Sequence, residues 1–534
     1  MPDLPTLPQS EVDTTYSLPT GTTHNCSTAE EFTTALADSA LNDVIVLTAG
    51  NTFTGQFTLP NKTSGSGWIY IISSSLGNLP AGTRVAGSGT NMAKIRTTTN
   101  NSPCIVTAAT AHHFRFAGIE LSNEATTQQG SLAQIGDLEN NTADLPHHVI
   151  FDRCYIHGSD ANGLRRGLQF NGDNLAAIEC YISNCKEDSD TQTILGFNGR
   201  GPIKIHNCYL EAAGENVMFG GADSQITNEF IRDITITRNY FFKPQAWIPL
   251  NWTVKNVLEL KCAARVLIKG NILENCWADA QEGEAFMITP RNQNGTASWS
   301  NVTDVTVQYN KVINCQFLAR IAGEDDNNTS QIPTRILFEH NLGLLTILTG
   351  VDQRSVGFLV NACGDGGPNH VTLRHNTTIC MAGSGRGVLM TDQVADQVDI
   401  RDNILDGDPY GIISADGQGS GSAAFDYHTD NGVATSNVFI KEDSSGYPAG
   451  NFFPGSYVAV EFVNYTGDEN GDYRLDPASD FAAGNASDAS DNTDQGADID
   501  AIEAAIAGED EGGGSATGES IVSFGGARRR VRLT

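Results

Sequence analysis

Glu259, Lys261, Arg291 and Arg320 bring one acid and three bases into a stretch where short apolar runs recur. In VLELK, Glu259 and Lys261 are two residues apart, so an extended strand sends both side chains to the same side. Arg291 follows the run AFMIT, and Arg320 lies in FLARI, the next two runs of this kind. Equivalent side chains of stacked strands stand about 4.8 Å apart. At that distance such a set can move protons and stabilise developing charge, or simply form a structural ion pair. Trp247, Trp252, Trp277 and Trp299, four of the five tryptophans, fall in the same stretch. Aromatic faces there could stack on sugar rings, although each Trp also suits a core. Two acidic clusters, Glu324 with Asp325 and Asp326, and Glu187 with Asp188 and Asp190, would interest a hydrolase. Both read as solvated turns and carry no hydrolase assignment.

The elements that must position these groups come from a repeat. FRFAGIEL, IFDRCYIH, AAIECYIS, KIHNCYLE, TITRNYFF, LIKGNILE, TVQYNKVI, LFEHNLGL, TLRHNTTI, DIRDNILD and ATSNVFIK share one template: alternating apolar and polar positions, a small or amide residue, then a second apolar run. The shared slot holds Gly118, Cys154, Cys180, Cys208, Asn239, Asn271, Asn310, Asn341, Asn376, Asn403 and Asn437. Alternation of period two marks strands, and the uneven spacing of the slots marks loops that differ from turn to turn. Asn at a repeated turn tolerates a left-handed backbone and can bond the next amide in a stack. The three cysteines are expected to form a buried thiol stack in the same column. Between templates lie third runs, GLQF, TILGF, NVMF, VLELK, AFMIT, FLARI, GFLVN, GVLM and YGIIS. Three strands per coil predict an all-β fold, a right-handed single-stranded parallel β-helix. Ser27 with Glu30 predicts a capping box before TAEEFTTALAD, an N-terminal helical cap over the first coil.

On these residues the chain resembles the pectate-lyase-like right-handed parallel β-helix superfamily. The stretches NWTVKNVLELK to TPRNQNG, GDYRLDPASD and QGADIDAIEAA resemble those of uncharacterised bacterial β-helix proteins. ELKCAARVLIKGN resembles a strand–turn–strand segment of lyases that cleave uronic-acid polymers. The resemblance implies Lys261 as base, Arg291 as acid or electrostatic stabiliser and Glu259 as a calcium ligand, with Arg320 beside them. Calcium is the one cofactor it allows; a single Glu does not complete a site, so no metal ligand set is assigned.

Of the 534 residues, 63 are acidic and 32 basic, for a net charge of −31, which repels a nucleic-acid backbone. Eleven cysteines without a CxxC pair predict neither a disulfide framework nor a zinc cluster. Residues 1–25 lack the basic start and apolar core of a signal peptide, and no apolar run is long enough to span a membrane. The expected location is extracellular or virion, after leader removal or by exit inside a virus particle. The expected organisation is an extension over 1–27, the β-helix over 28–480, its C-terminal end over 481–506, and a tail over 507–534. That tail joins GEDEGGGSATGES to a basic end with Arg528, Arg529, Arg530 and Arg532, suited to self-assembly or attachment on an acidic partner. Two readings stand. One is a surface or virion protein that engages a polysaccharide through the face between 247 and 325, either as a lyase acting by β-elimination or as a binding spike. The other is a non-catalytic structural or adhesin rod.

Overall fold

The computed structural model describes residues 1–508 apart from 124–128, 350–353, 361–363, 365, 382–384 and 441–442. The chain winds into three long parallel sheets of 15, 13 and 12 strands. One turn shows the plan. Ala263–Lys269 lies in the 15-stranded sheet, Ile272–Cys276 in the 13-stranded sheet and Glu284–Ile288 in the 12-stranded sheet. Val302–Gln308 then returns beside Ala263–Lys269 with Val266 opposite Val305. The nine third runs of the sequence are successive strands of the 12-stranded sheet. The winding is right-handed, the hand that a twisted strand imposes on a parallel crossover.

Period-two alternation buries one side of each strand inside the coil, where like residues stack on like. On the 13-stranded sheet Ile156, Ile182, Leu210, Phe241, Leu273 and Val312 lie in register, each fully buried. On the 12-stranded sheet Ile194, Val217, Leu258, Phe286 and Ala319 do the same. Burying an aliphatic or aromatic side chain contributes about 1.5–3 kcal/mol. No strand can slip by one residue without turning its whole apolar set outward.

A ladder of side-chain amides fixes the turn between the 15- and 13-stranded sheets. The backbone N–H of Cys208 donates to Asn239 Oδ1 at 2.8 Å, that of Asn239 to Asn271 at 2.9 Å, and that of Asn271 to Asn310 at 2.9 Å. The chain of bonds continues through Asn341, Asn376, Asn403 and Asn437 to Asn451. Cys154 and Cys180 extend the column downward, the Cys154 N–H lying 3.4 Å from Cys180 Sγ. The ten described cysteines are all buried thiols, and burial pushes that of Cys180 well up.

Two expectations shift by one residue. The left-handed backbone falls on the residue before each ladder member, at Asn207, Arg238, Gly270, Tyr309, His340, His375, Asp402 and Ser436, with φ between 50° and 66°. Asn therefore supplies the bonds and its neighbour makes the turn. Gly118, φ 66°, belongs to that preceding column; pairing of Glu120 with Tyr155 places Ile119 beside Cys154. Likewise the capping box before the helix Ala29–Asp38 is Thr28 with Glu31, not Ser27 with Glu30. The helix buries Phe32, Ala35 and Leu36 on the open end of the coil.

Both ends of the described residues reach back along the rod. Residues 1–22 run outside the 15-stranded sheet: Asp3 N–H donates to His370, Thr6 N–H to Asp304, Gln9 N–H to Asp233, and Arg115 donates to the carbonyls of Thr14 and Thr15. The extension is thus a strap. The last coil strand is Val438–Ile440, earlier than the expected boundary at 480. Residues beyond it pack Tyr457, Phe462, Tyr473, Phe481, Ile499 and Ile502 against Leu342, Leu344, Ile379, Ile404 and Val438. The helix Ile499–Ala507 is capped by Gly508, and Arg238 donates to the Ala507 carbonyl at 2.7 Å. The tail arginines lie outside the described residues.

Replacing Asn310 by Ala removes the acceptor used by Asn271 and the donor to the Ile268 carbonyl. Orphaned buried groups cost about 1–3 kcal/mol each, so a loss of about 2–4 kcal/mol is expected in urea unfolding. A loss under about 1 kcal/mol would show that the ladder contributes little.

Candidate functional site on the 12-stranded sheet

Leu258–Leu260, Glu284–Ile288 and Phe317–Ile321 are neighbouring strands, so Glu259, Met287 and Arg320 form one column, with Met218 on the far side of Glu259. Thioethers flank the Glu259 carboxyl in that column, and the residue is fully buried. Lys261 leaves the same strand end and reaches Glu259 Oε1 at 3.4 Å, its side chain 11% exposed. Arg291 N–H donates to the Lys261 carbonyl, while the Arg291 guanidinium is held by Asp325 at 2.8 Å and Asp326 at 2.7 Å. Arg320 is held by the buried Glu284 at 3.1 Å. The four residues thus lie in or just past strands of one sheet in three consecutive coils, each base with its own acid.

The strand starts carry a second set that the sequence reading passed over. Gln192 donates to Glu215 Oε2 at 2.8 Å, and Asn256 donates to Glu259 Oε2 at 3.0 Å and Gln281 at 2.7 Å. Lys255 contacts Asp190 and stands 3.4 Å from Glu215 Oε1. A polar string therefore runs from half-exposed Asp190 through Lys255 to buried Glu215, beside the pair of Glu259 and Lys261. Burial drives the Glu259 pKa up from 4.5 to about 7, with Lys261 opposing and the nearby Glu215 carboxylate adding to the rise. Burial works in the same direction on Asp190, but Lys255 overcomes it and holds that carboxyl below its usual value. Arg166, above Gln192, is pulled down to about 10, chiefly by burial. The signal for this set was available: Gln192, Glu215, Asn256 and Glu284 each stand just ahead of, or open, an apolar run.

The tryptophans divide. Trp247 and Trp277 are 6% and 3% exposed and pack with Trp252, Val254, Ala213 and Leu348 in a small core beside the sheet. They build the wall rather than offer open faces. Lys186 Nζ lies 5.4 Å from the Trp247 ring and 5.8 Å from that of Trp252. Trp299 is in the loop leaving the other end of the strand, where its Nε1 donates to the Glu229 carbonyl at 3.3 Å; Trp252 and Trp299 alone of the four stay partly exposed. Of the acidic clusters, Asp325 is buried and knits its loop together through the N–H groups of Asn292 and Asn327, and Glu187 is buried against Arg165 and Ser189. Only Asp188, Asp326 and the partly exposed Glu324 and Asp190 face water, so neither cluster is a solvated turn throughout.

For calcium, the nearby oxygens are those of Glu215, Glu259 and Asn256. The ammonium groups of Lys255 and Lys261 already stand 3.4 Å from those carboxylates. The residues present do not fit a divalent ion, because two lysines occupy its electrostatic place.

Because the folded protein holds the Glu259 proton up to about pH 7 and the unfolded chain releases it near 4.5, stability falls as pH rises through that interval and levels above it. Glu259→Gln removes this slope, so the variant gains stability relative to the parent across the interval when both are unfolded in urea. A difference that does not change with pH would show that Glu259 ionises normally.

No family model and no curated protein sequence matches the chain. Among solved structures, the PL6-family alginate lyase AlyGC is 12% identical over 81% of this chain and 51% of its own, with a TM-score of 0.42. The chain therefore spans about half the length of that lyase. The tailspike protein of E. coli bacteriophage HK620 is 10% identical over 81% of this chain and 75% of its own, TM-score 0.42. A PL6-family polysaccharide lyase from Pseudopedobacter saltans is 12% identical over 81% and 91%, TM-score 0.40. Three parallel sheets wound from one chain, one strand to each sheet in every coil, make this protein a right-handed parallel β-helix.

Proposed function

We propose that the protein engages a polysaccharide along the 12-stranded sheet, at the face where Lys255 and Lys261 meet the buried acids. The observation that carries this reading is the string Asp190, Lys255, Glu215, Glu259 and Lys261, five ionisable groups in or beside the strands of one sheet on consecutive coils, with one carboxyl shifted to about pH 7. Shifted groups gather where proteins bind and catalyse. A row of donors at strand spacing also suits a polymer, whose hydroxyl and carboxylate groups repeat.

The finer reading is β-elimination on a uronate polymer. Lys261, its side chain 11% exposed, takes the proton from C5 as its neutral amine. The C4–O bond breaks, its electron pair goes to the leaving oxygen, which takes a proton from the Lys261 ammonium just formed, and a C4–C5 double bond remains. Glu259, with no exposed surface, is a positioning residue that holds the Lys261 amine in place. Arg291 and Arg320 would neutralise substrate carboxylates only by sharing themselves with Asp325, Asp326 and Glu284. That pairing is the observation favouring the second reading, a non-catalytic rod of a virion or cell surface. The expected setting is outside the cell, and residues beyond Gly508, with the arginines of the basic end, would serve attachment or self-assembly.

The test is a panel beginning with alginate and pectate, followed by the ultraviolet absorbance of the unsaturated product. Turnover that Lys261→Ala reduces on the order of 10²-fold or more, with unfolding unchanged, supports the lyase. Binding without turnover, weakened by the same variant, leaves a glycan-binding face. Neither turnover nor binding on any polymer overturns the glycan reading in favour of the structural one. Truncation after Gly508 should leave the melting temperature unchanged while reducing assembly or attachment.

A further inference from the structure

Away from that sheet, two successive coils carry a doubled histidine at one position: AHHFRF at 111–116 and PHHVIF at 146–151. The 15-stranded sheet sets His147 opposite His112. The rings lie in two stacks, His112 on His147 with centroids 4.9 Å apart and planes within 5°, and His113 on His148 at 4.4 Å and 9°. Within each coil the two Nδ1 atoms are 2.8 Å apart. Trp68 closes one side, its ring 5.1 Å from His113 and 6.0 Å from His148. One ring nitrogen from each of His113, His147 and His148 lies within 4.8 Å of the other two, and all three residues are partly exposed.

We propose that His113, His147 and His148 form a binding site for a divalent transition ion such as zinc, with His112 holding the His113 ring. A neutral imidazole has one donor and one acceptor nitrogen, so each Nδ1 contact uses a single proton shared between two lone-pair positions. An ion entering the His147 and His148 pair takes the place of that proton, which moves through solvent to Nε2 of the same ring. No net proton is lost, and two lone pairs face the metal. Ligands at 2.0–2.1 Å from a tetrahedral ion stand about 3.3 Å apart, so the upper and lower rings need to tilt together by up to about 1.5 Å. Their half-open position permits this. Three imidazoles select zinc, copper, nickel or cobalt over calcium or magnesium, and they leave one position for water. The nearest acid in register, Asp173, is already paired with Arg200 and does not compete.

The backbone offers a clean test. His113 and His148 have φ of 59° and 56°, and the next coil fills the same place with Asn174, φ 56°. His113→Asn with His148→Asn therefore keeps the turn while removing ligands. The untagged full chain is titrated with Zn²⁺ by calorimetry and with Co²⁺ by visible absorption. One ion per chain is expected, with a cobalt ligand-field band. The double Asn variant should lose the band and weaken binding at least tenfold, a typical effect of losing metal-supporting groups. His340→Asn with His375→Asn, the other stacked histidines, should change neither. No stoichiometric ion in the parent protein, or a band that survives in the double variant with its melting temperature intact, overturns the site. If the double variant unfolds, His147→Gln alone gives the same reading.

Discussion

Every coil of this protein must lie on the one before it in register, because a parallel strand has no other partner for its backbone N–H and C=O groups. That single constraint decides which side chains meet. It stacks Ile on Leu on Phe in the interior, amide on amide in the turn, and charge beside charge on the outer face. The amide ladder is the strictest expression of the constraint, since each Asn is both the acceptor for the coil below and a donor to its backbone. An apolar column tolerates a change of shape at modest cost. A hydrogen-bonded column does not, because each missing member strands a neighbour.

The same register puts acids where water cannot reach them. Glu215, Glu259 and Glu284 are fully buried, and each has a cation within 3.4 Å. Lys243 is the mirror image, a fully buried ammonium donating to the carbonyls of Ala212, Ala213 and Gly214 and to Asn216, with burial lowering it to about pH 8. Buried pairs add little net stability but are costly to break singly. The 12-stranded sheet therefore holds its charges in place at the expense of their freedom, which suits fixed contacts to a repeating polymer or a rigid surface.

The repeat made the fold legible. Alternation named the strands, the recurrent Asn named the column, and VLELK, AFMIT and FLARI were correctly read as adjacent strands of one sheet. What escaped was anything decided by a single residue of offset or by loops. Thr28, not Ser27, caps the first helix because the helix starts one residue later. Gly118 sits with the turn residues, since glycine and a left-handed Arg or His satisfy the same backbone need. Arg291 and Arg320 are bases by sequence, but their counter-ions Asp325, Asp326 and Glu284 lie in neighbouring loops and strand starts, invisible to strand spacing. Nor did the sequence disclose that Trp247 and Trp277 pack into one small core beside the sheet. The paired histidines were visible as text, yet only coil register shows that they meet.

The strap of residues 1–22 ties together coils that are far apart in the chain. Its contacts descend from His370 through Asp304 and Asp233 to Asp152's partner Arg115, so it crosses the rod against the direction of winding. During synthesis these residues emerge before any coil exists, and their docking surface is finished only after position 370 has been laid down. Residues 1–22 are thus among the last parts to settle. A rod that could otherwise peel coil by coil is bound lengthwise, like a spine sewn across the leaves of a book.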